Sequence, residues 1–344
     1  MRLLKGSHLE AFEAEIAAFT GSAFAVGVAS GTDALALSLI AVWVGPGDEV
    51  LLQANGFTAV VEAIRIAGAR PVLVDSAPVG YGPDPEALER TVTPRTRAAL
   101  VVHMYGEPVE MAPLQALCRR HELRLVEDGS HAHGARREGR RVGTFGDAGA
   151  FSAGVIKNLG AYGDAGFVLT NDPEVEREVR LLQAHGQAKK NQHVRYGFNS
   201  RLDELQAAVL RAKLPLLEAR NARLREYAAY YSHELRSVCR AVPEADPRRI
   251  DAFHQYVVQV ENRGDLQAAL KERGVETGVR YPVPLHRQPA WEAAYEAGLP
   301  FPRAEHLAAR ILSLPVIPDL TWDEVRYVAT AVRECASQVP ACAS

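Results

Sequence analysis

Phe151-Ser152-Ala153-Gly154-Val155-Ile156-Lys157-Asn158-Leu159-Gly160 sets one lysine in a run of small and apolar residues. Gly146-Asp147-Ala148-Gly149 precede it, and Tyr162-Gly163-Asp164-Ala165-Gly166 follow. Strand-forming residues close the stretch on both sides, at Gly149–Ser152 and Gly166–Thr170, so the lysine is expected on a loop between two strands. A poorly solvated lysine gives up its charge more readily than one in water. The uncharged amine can attack an aldehyde, so Lys157 is suited to forming a Schiff base. An ordinary surface-loop lysine fits the same ten residues equally well, and the surrounding chain has to decide.

On either side of that loop, short β-rich runs alternate with helical patterns. Strands are expected at Ala25–Ala29, Glu49–Gln53, Pro71–Val74, Ala98–His103 and Arg124–Glu127, besides the two already named. Helices are expected at Thr32–Val42, Ala59–Gly68 and Met111–His121. The alternation predicts an α/β fold, a mostly parallel seven-stranded sheet with helices on both faces. From Asp203 to about Leu235 the pattern reads as one long connecting helix. Beyond it, Phe253–Val260 and Thr277–Val283 read as strands, and Gly264–Gly274, Arg303–Leu312 and Thr321–Gln338 as helices. The expected organisation is a large domain over residues 1–215 and a smaller α+β C-terminal domain over 216–344.

A net charge of −3 gives no electrostatic reason to invoke nucleic acid or a membrane surface as partner. Cys118, Cys239, Cys335 and Cys342 form no CxxC pair, so reduced thiols and a cytoplasmic protein are expected. Met1-Arg2-Leu3-Leu4-Lys5-Gly6 lacks the apolar core of a signal peptide, and no apolar run is long enough to span a bilayer.

Three more segments carry chemistry. In Ala29-Ser30-Gly31-Thr32-Asp33-Ala34-Leu35 a strand turns through small residues into a helix whose free N–H groups suit a phosphate, with the Thr32 hydroxyl as a further donor. Plain capping by Ser30 or Thr32 explains the same residues. In Leu125-Val126-Glu127-Asp128-Gly129-Ser130-His131-Ala132-His133-Gly134 an apolar strand ends in a carboxylate, where open α/β sheets bind their ligands. Asp128 is suited to a protonated ring nitrogen, and His131 to a phenolate oxygen on the same ring. Turn capping and core packing are the alternatives; a metal is not expected, because neither an HExxH helix nor a cysteine partner is present. In Gly197-Phe198-Asn199-Ser200-Arg201-Leu202-Asp203-Glu204, Asn199 and Arg201 open the connecting helix, and Ser152 ahead of Lys157 is a second phosphate donor. A phosphate site, a carboxylate for a pyridinium, a donor beside it and a reactive lysine together describe a site for pyridoxal 5′-phosphate.

With these segments on the page, the chain resembles the DegT/DnrJ/EryC1/StrS family of sugar aminotransferases, which are pyridoxal-phosphate enzymes of fold type I (aspartate-aminotransferase-like). The matching segments are Val26–Leu35, Gly45–Val50, Val126–Gly134, Phe151–Gly166, Gly197–Ala208 and Tyr281–Ala290. The resemblance implies that Lys157 bonds the cofactor and Asp128 pairs with its ring nitrogen. It implies that Gly31, Thr32 and Ser152 hold the phosphate, that Phe57 stacks on the ring, and that Asn199 reaches the phosphate of a neighbouring subunit in a homodimer with shared sites. His131 stands where the family most often has glutamine; it keeps one hydrogen bond to give, and its charge state bears on the cofactor's electronics. Family members usually carry a longer arm ahead of His8-Leu9-Glu10-Ala11-Phe12-Glu13, and that arm helps frame the substrate pocket.

The implied reaction moves an amino group from glutamate or glutamine to a keto sugar, nucleotide-linked by the family pattern, in amino-sugar or natural-product biosynthesis. The Asn199-Ser200-Arg201-Leu202-Asp203-Glu204-Leu205-Gln206 form of its motif leans toward the sugar 3-position. Tyr162, Arg201, Arg280 and His286 are candidate substrate contacts, and packed or solvated roles fit each of them too. The alternatives are an aminocyclitol or other non-nucleotide ketone as acceptor, a sugar dehydratase, or a non-catalytic regulatory member. The dehydratase reading is disfavoured because such relatives replace the lysine by histidine, whereas Lys157 is present.

Overall fold

The computed structural model of the chain describes residues 6–291 and 300–338. Cys342 and the first five residues, on which two of the readings above fall, lie outside the described residues. The strands are β1 (Phe24–Val28), β2 (Glu49–Gln53), β3 (Arg70–Val74), β4 (Thr96–Val102), β5 (Arg124–Asp128), the short β6 (Arg136–Arg137) and β7 (Arg140–Arg141), β8 (Ala148–Ser152), β9 (Gly166–Thr170), the short β10 (Gln187–Lys189), β11 (Gln192–His193) and β12 (Arg249–Ile250), then β13 (Tyr256–Gln259) and β14 (Ile311–Leu314). The helices are α1 (Ser7–Thr20), α2 (Gly31–Ala41), α3 (Ala59–Ile66), α4 (Pro85–Thr91), α5 (Met111–Arg120), α6 (Pro173–Leu182), α7 (Glu204–Lys213), α8 (Leu217–Leu235), α9 (Arg263–Glu272), α10 (Pro302–Arg310) and α11 (Trp322–Gln338).

Seven strands form the central sheet in the order β1-β9-β8-β5-β4-β2-β3. β9 runs antiparallel to both its neighbours; the other contacts are parallel. β2 and β9 are buried along their whole length, as expected of a sheet covered on both faces. Alternation sends Val50, Leu52 and Val126 into the core beneath α2 and α3, and Leu51 and Leu125 into the core beneath α5. A third cluster joins Phe12 and Ile16 of α1 to Leu210 of α7. A separate one joins Tyr227 and Tyr231 of α8, Tyr256 of β13, Leu314 of β14 and Val332 of α11. No described helix is long and apolar enough to cross a membrane.

The α/β class and mostly parallel seven-stranded sheet are as expected; three local expectations are corrected. The long helix from Asp203 breaks at Leu214–Leu216, a 3-10 turn containing Pro215, which has no N–H to continue the α ladder. Thr277–Val283 is not a strand: it pairs with β14 only at Gly278–Ser313, and Pro282 and Pro284 then carry the chain away without donors. The true partner of β13 is Ile311–Leu314, whose first two residues the sequence pattern placed at the tail of a helix. Helix α10 stops at Arg310 because the four following residues, all buried, pair antiparallel with β13, so tertiary pairing overrides local periodicity. α1, α4 and α6 were not anticipated.

Candidate active site

The site is built at the carboxyl ends of the central strands of the sheet. Asp128 is the last residue of β5, in register between Val102 of β4 and Ala150 of β8. Its neighbour Glu127 points to the opposite side, where it is saturated: Gly143 N–H donates to Oε2 at 2.9 Å, and Phe145 and Gly146 N–H donate to Oε1 at 2.6 and 2.8 Å. His103 Nε2 lies 3.1 Å from Oε2 of the same carboxylate. Asp128 is buried, yet only its Oδ1 is engaged, accepting from Ser130 N–H at 2.9 Å; among the described residues Oδ2 carries no hydrogen bond. Period two along one strand thus makes a structural acid of one carboxylate and leaves the next available.

Lys157 lies on the loop leaving β8. The loop closes on itself through Lys157 N–H to Gly154 O at 2.9 Å and Ala161 N–H to Ala153 O at 2.8 Å. Asn158 pins it from the far side, its Nδ2 donating to Ala252 O at 2.8 Å and Asn221 Oδ1 at 3.0 Å. Burial of the amine lowers the Lys157 pKa from the ordinary lysine range; Asp128, within electrostatic reach, opposes the shift, and Arg280 adds to it. Lys157 is thus a desolvated lysine within electrostatic reach of an acid.

His131 is buried, and its Nδ1 accepts the Tyr105 N–H at 3.3 Å, which leaves any ring proton on Nε2. Burial, then the neighbouring His254, Lys157, His133 and Arg280, hold its pKa well below the ordinary value, so the ring is neutral. His133 packs edge-on to Phe151 and Phe167, and burial lowers its pKa to about 3. Among the described residues no three His, Cys, Asp or Glu side chains gather as a metal site.

α2 starts at Gly31 beside the end of β8. Ser30 is the cap, its Oγ accepting from Asp33 N–H at 3.1 Å. That leaves the N–H groups of Gly31 and Thr32 and the Thr32 hydroxyl without a hydrogen bond among the described residues. A Cβ on Gly31 would lie 2.4 Å from the Ser152 Cβ, so only glycine lets the helix start approach Ser152 this closely. Phe57, half exposed, lies over Tyr281 with ring centroids 5.3 Å apart. Tyr281 is in turn within electrostatic reach of Asp128, and burial raises its pKa to about 12.

The remaining candidates separate. Arg280 is exposed, acts electrostatically on Lys157 and His131, and has no acidic partner among the described residues. His286 is buried against Phe301, with Nε2 2.9 Å from Glu305 Oε1. Tyr162 is 72% exposed; its ring lies under Lys213 and its N–H donates to Gln206 Oε1. Asn199 is exposed ahead of α7, and the Arg201 guanidinium donates to its Oδ1. Sequence reasoning missed the role of Asn158, next to Lys157, and missed Tyr105, Tyr281 and His254, which come to the site through contacts between distant parts of the chain.

A family model described as the DegT/DnrJ/EryC1/StrS aminotransferase family matches residues 1–333. The chain belongs to that family. The aminotransferase is 43% identical to a UDP-N-acetyl-3-dehydro-alpha-D-glucosamine 3-aminotransferase of Acidithiobacillus ferrooxidans, over 95% of this chain and 88% of that one. It is 44% identical to a dTDP-3-amino-3,4,6-trideoxy-alpha-D-glucose transaminase of Streptomyces venezuelae, over 98% and 89%. Its fold superposes on the crystal structure of DesV from S. venezuelae with a TM-score of 0.96 and 43% identity, covering 98% of this chain and 92% of that one. The protein is a pyridoxal-phosphate-dependent aminotransferase, and a solved relative at 30% identity holds the cofactor's amine form.

The residues present fit that cofactor. Asp128 keeps one buried carboxylate oxygen open for a pyridinium, the half-buried Lys157 sits within reach of it, and the unpartnered first-turn donors of α2 meet Ser152 as a cradle for phosphate.

Proposed function

We propose that this aminotransferase moves an amino group from glutamate or glutamine to the 3-keto position of a nucleotide-linked sugar, as a cytoplasmic homodimer with shared sites. The observation that carries the chemistry is the desolvated Lys157 amine within reach of the open Asp128 oxygen. Both curated relatives named above carry a 3-amino transfer in their names, which supports the acceptor class.

Pyridoxal 5′-phosphate, when bound, supplies an aldehyde and an electron sink. Lys157 Nζ, uncharged once desolvated, would bond that aldehyde and then, displaced by the donor, carry the proton taken from the donor's α carbon. Asp128 would hold the ring nitrogen protonated, and His131 Nε2–H would donate to the ring oxygen. Gly31, Thr32 and Ser152 would bind the phosphate, with Asn199 supplied by a second copy, and Phe57 would cover the ring. Arg280, unpaired among the described residues, suits the donor carboxylate or the acceptor's phosphates; Arg201, Tyr162 and His286 are the other candidate contacts. In the proposed division, residues 1–215 carry the cofactor and 216–344 form the smaller domain beside it.

Exposed Val155, Ile156, Tyr162 and Leu205 flank the Lys157 loop and the start of α7, which supports burial against a second copy. The buried thiols of Cys118, Cys239 and Cys335 support a reducing compartment.

Two measurements test this reading. Incubation with glutamate or glutamine and a panel of UDP- and dTDP-linked 3-keto sugars, 4-keto sugars and an aminocyclitol ketone, read by mass spectrometry, is expected to give product from the 3-keto nucleotide sugars. Product from the cyclitol ketone alone would overturn the acceptor assignment. Mixing Lys157→Ala and Asn199→Ala proteins under subunit exchange is expected to restore about a quarter of wild-type activity, since half the dimers gain one intact site of two. No recovery from two folded, exchanging dimers would show that Asn199 does not cross between subunits.

A further inference from the structure

His254 lies far along the chain from every motif that builds the site, yet its ring stacks on His131 with centroids 4.5 Å apart and planes 26° from parallel. A chain of amides sets its orientation. Asn221 Nδ2 donates to His133 O at 2.7 Å, and Asn158 Nδ2 donates to Asn221 Oδ1 and Ala252 O. Both amides are thereby fixed in direction, so Asn158 Oδ1 can only accept, and the His254 Nδ1 at 3.1 Å from it must carry the proton. The two imidazoles therefore hold complementary tautomers, His254 with its hydrogen on Nδ1 and His131 with its hydrogen on Nε2.

The backbone spends conformational freedom to bring the rings together. Tyr105, whose N–H donates to His131 Nδ1, and Phe253, next to His254 in the chain, are both left-handed, at φ 60° and 44°. Ala252 N–H donates to Gly106 O at 2.9 Å and Gln255 N–H to Tyr105 O at 3.2 Å. Gly106, at φ 96°, has no room for a Cβ, which would meet Phe253 N at 2.8 Å, His131 O at 2.9 Å and His254 N at 3.0 Å. Two strained aromatic residues and an obligatory glycine converge on one pair of rings.

We propose that His254 is a positioning residue of the cofactor site, its ring plane set by Asn158 so that it covers His131 and holds that side chain as a neutral Nε2–H donor. This rests on the pyridoxal-phosphate reading of the site. Burial holds the His131 ring neutral, and the groups that act on it, His254, Lys157, His133 and Arg280, are all basic and oppose its protonation as well. Without the His254 ring and with water admitted, both burial and one of those groups are lost, and the ring would gain a proton as pH falls and lose its single-donor character.

The test uses full-length protein with cofactor removed, His254→Gln, which keeps an N–H for Asn158 and loses the ring, and His254→Phe, which keeps the ring and loses the N–H. Nitrogen NMR of the imidazoles in the apoprotein is expected to show wild-type His131 unprotonated at Nδ1 from pH 5 to 8 and His131 titrating within that range in His254→Gln. Pyridoxal 5′-phosphate titration is expected to show roughly tenfold weaker binding in His254→Gln, the scale seen when an orienting partner is lost, and a smaller loss in His254→Phe, whose ring still covers His131 but without the Asn158 bond that sets its plane. In a His131→Ala background the same glutamine substitution is expected to change affinity less than twofold. Unchanged His131 titration in His254→Gln, or a full tenfold loss persisting without His131, would overturn the proposal. Failure of the wild type to bind pyridoxal 5′-phosphate would instead sink the cofactor assignments, and the apoprotein NMR would still test His254 alone.

Discussion

Lys157→Ala is expected to lower turnover by about four orders of magnitude or more, while the variant still folds and still binds pyridoxal 5′-phosphate through its phosphate and ring contacts. The substitution removes a covalent partner and a proton carrier at once, and no other described side chain duplicates the pair. His131 and His133 are held neutral by burial, and His254 already gives its Nδ1 hydrogen to Asn158. A small primary amine added to the variant should restore a measurable fraction of the rate, because it replaces the base without the chain. The apoprotein supplies a second, independent sign. Lys157 has a lowered pKa, so between its folded value and the ordinary value near 10.4 the unfolded chain binds more protons, and stability rises with pH. The cost of keeping this amine charged and buried is thus present at low and neutral pH and fades as pH climbs through that window. The alanine apoprotein is expected to be the more stable one at neutral pH, with the difference shrinking toward pH 10, as read by denaturant unfolding. Wild-type turnover in the purified variant, measured by amino-product formation, would rule out Lys157 as the reacting amine.

What the sequence made legible was whatever is local. Asp128, His131, Ser152 and Lys157 stand within thirty residues of one another and sit on consecutive strand ends, so their common edge follows from the strand pattern. β2 and β9 were read to the residue because each is a short apolar run bounded by polar or turn residues, which allows few registers. β14 was misread because Ile311–Leu314 continues the apolar spacing of α10, and only the partner strand, some fifty residues earlier, makes it extended. The break at Pro215 was visible in principle, since a proline inside a helical pattern removes a donor. His254 and Tyr105 left no such trace, and Tyr281 showed only as the start of a matching segment. They reach the site through Ala252–Gly106 and Gln255–Tyr105 pairing and through the Tyr105 hydroxyl on Arg280 O, contacts that no spacing rule encodes. The charge of His131, left open by its sequence, is decided first by burial, with a second imidazole over its face and a backbone N–H aimed at Nδ1.

Asp128→Asn is expected to reduce turnover about 10²- to 10³-fold with the cofactor still bound, the range typical of losing one preorganised electrostatic partner. The substitution is nearly isosteric, and the amide oxygen can keep the Ser130 N–H that Oδ1 now accepts, so the β5 end should hold its shape. The open position changes in kind. A carboxylate oxygen there accepts a proton-bearing ring nitrogen, whereas an amide NH₂ there can only donate, which favours the unprotonated ring and weakens its pull on electrons. The pH profile separates this from a loss of fold. Asp128 favours the charged form of Lys157, so without its charge the amine sheds its proton at lower pH. The rising limb of kcat against pH, which reports the uncharged amine, should move to lower pH even as its height falls. A variant of wild-type height, or one whose rising limb moves to higher pH, would mean that the acid facing Lys157 is not Asp128. Because burial of the amine outweighs the opposing pull of Asp128 in the wild type, the shift in the limb should be smaller than the loss in rate. One carboxylate, placed by the period of a single strand, thus acts on the ring for rate and on the lysine for pH range, and one substitution reads both.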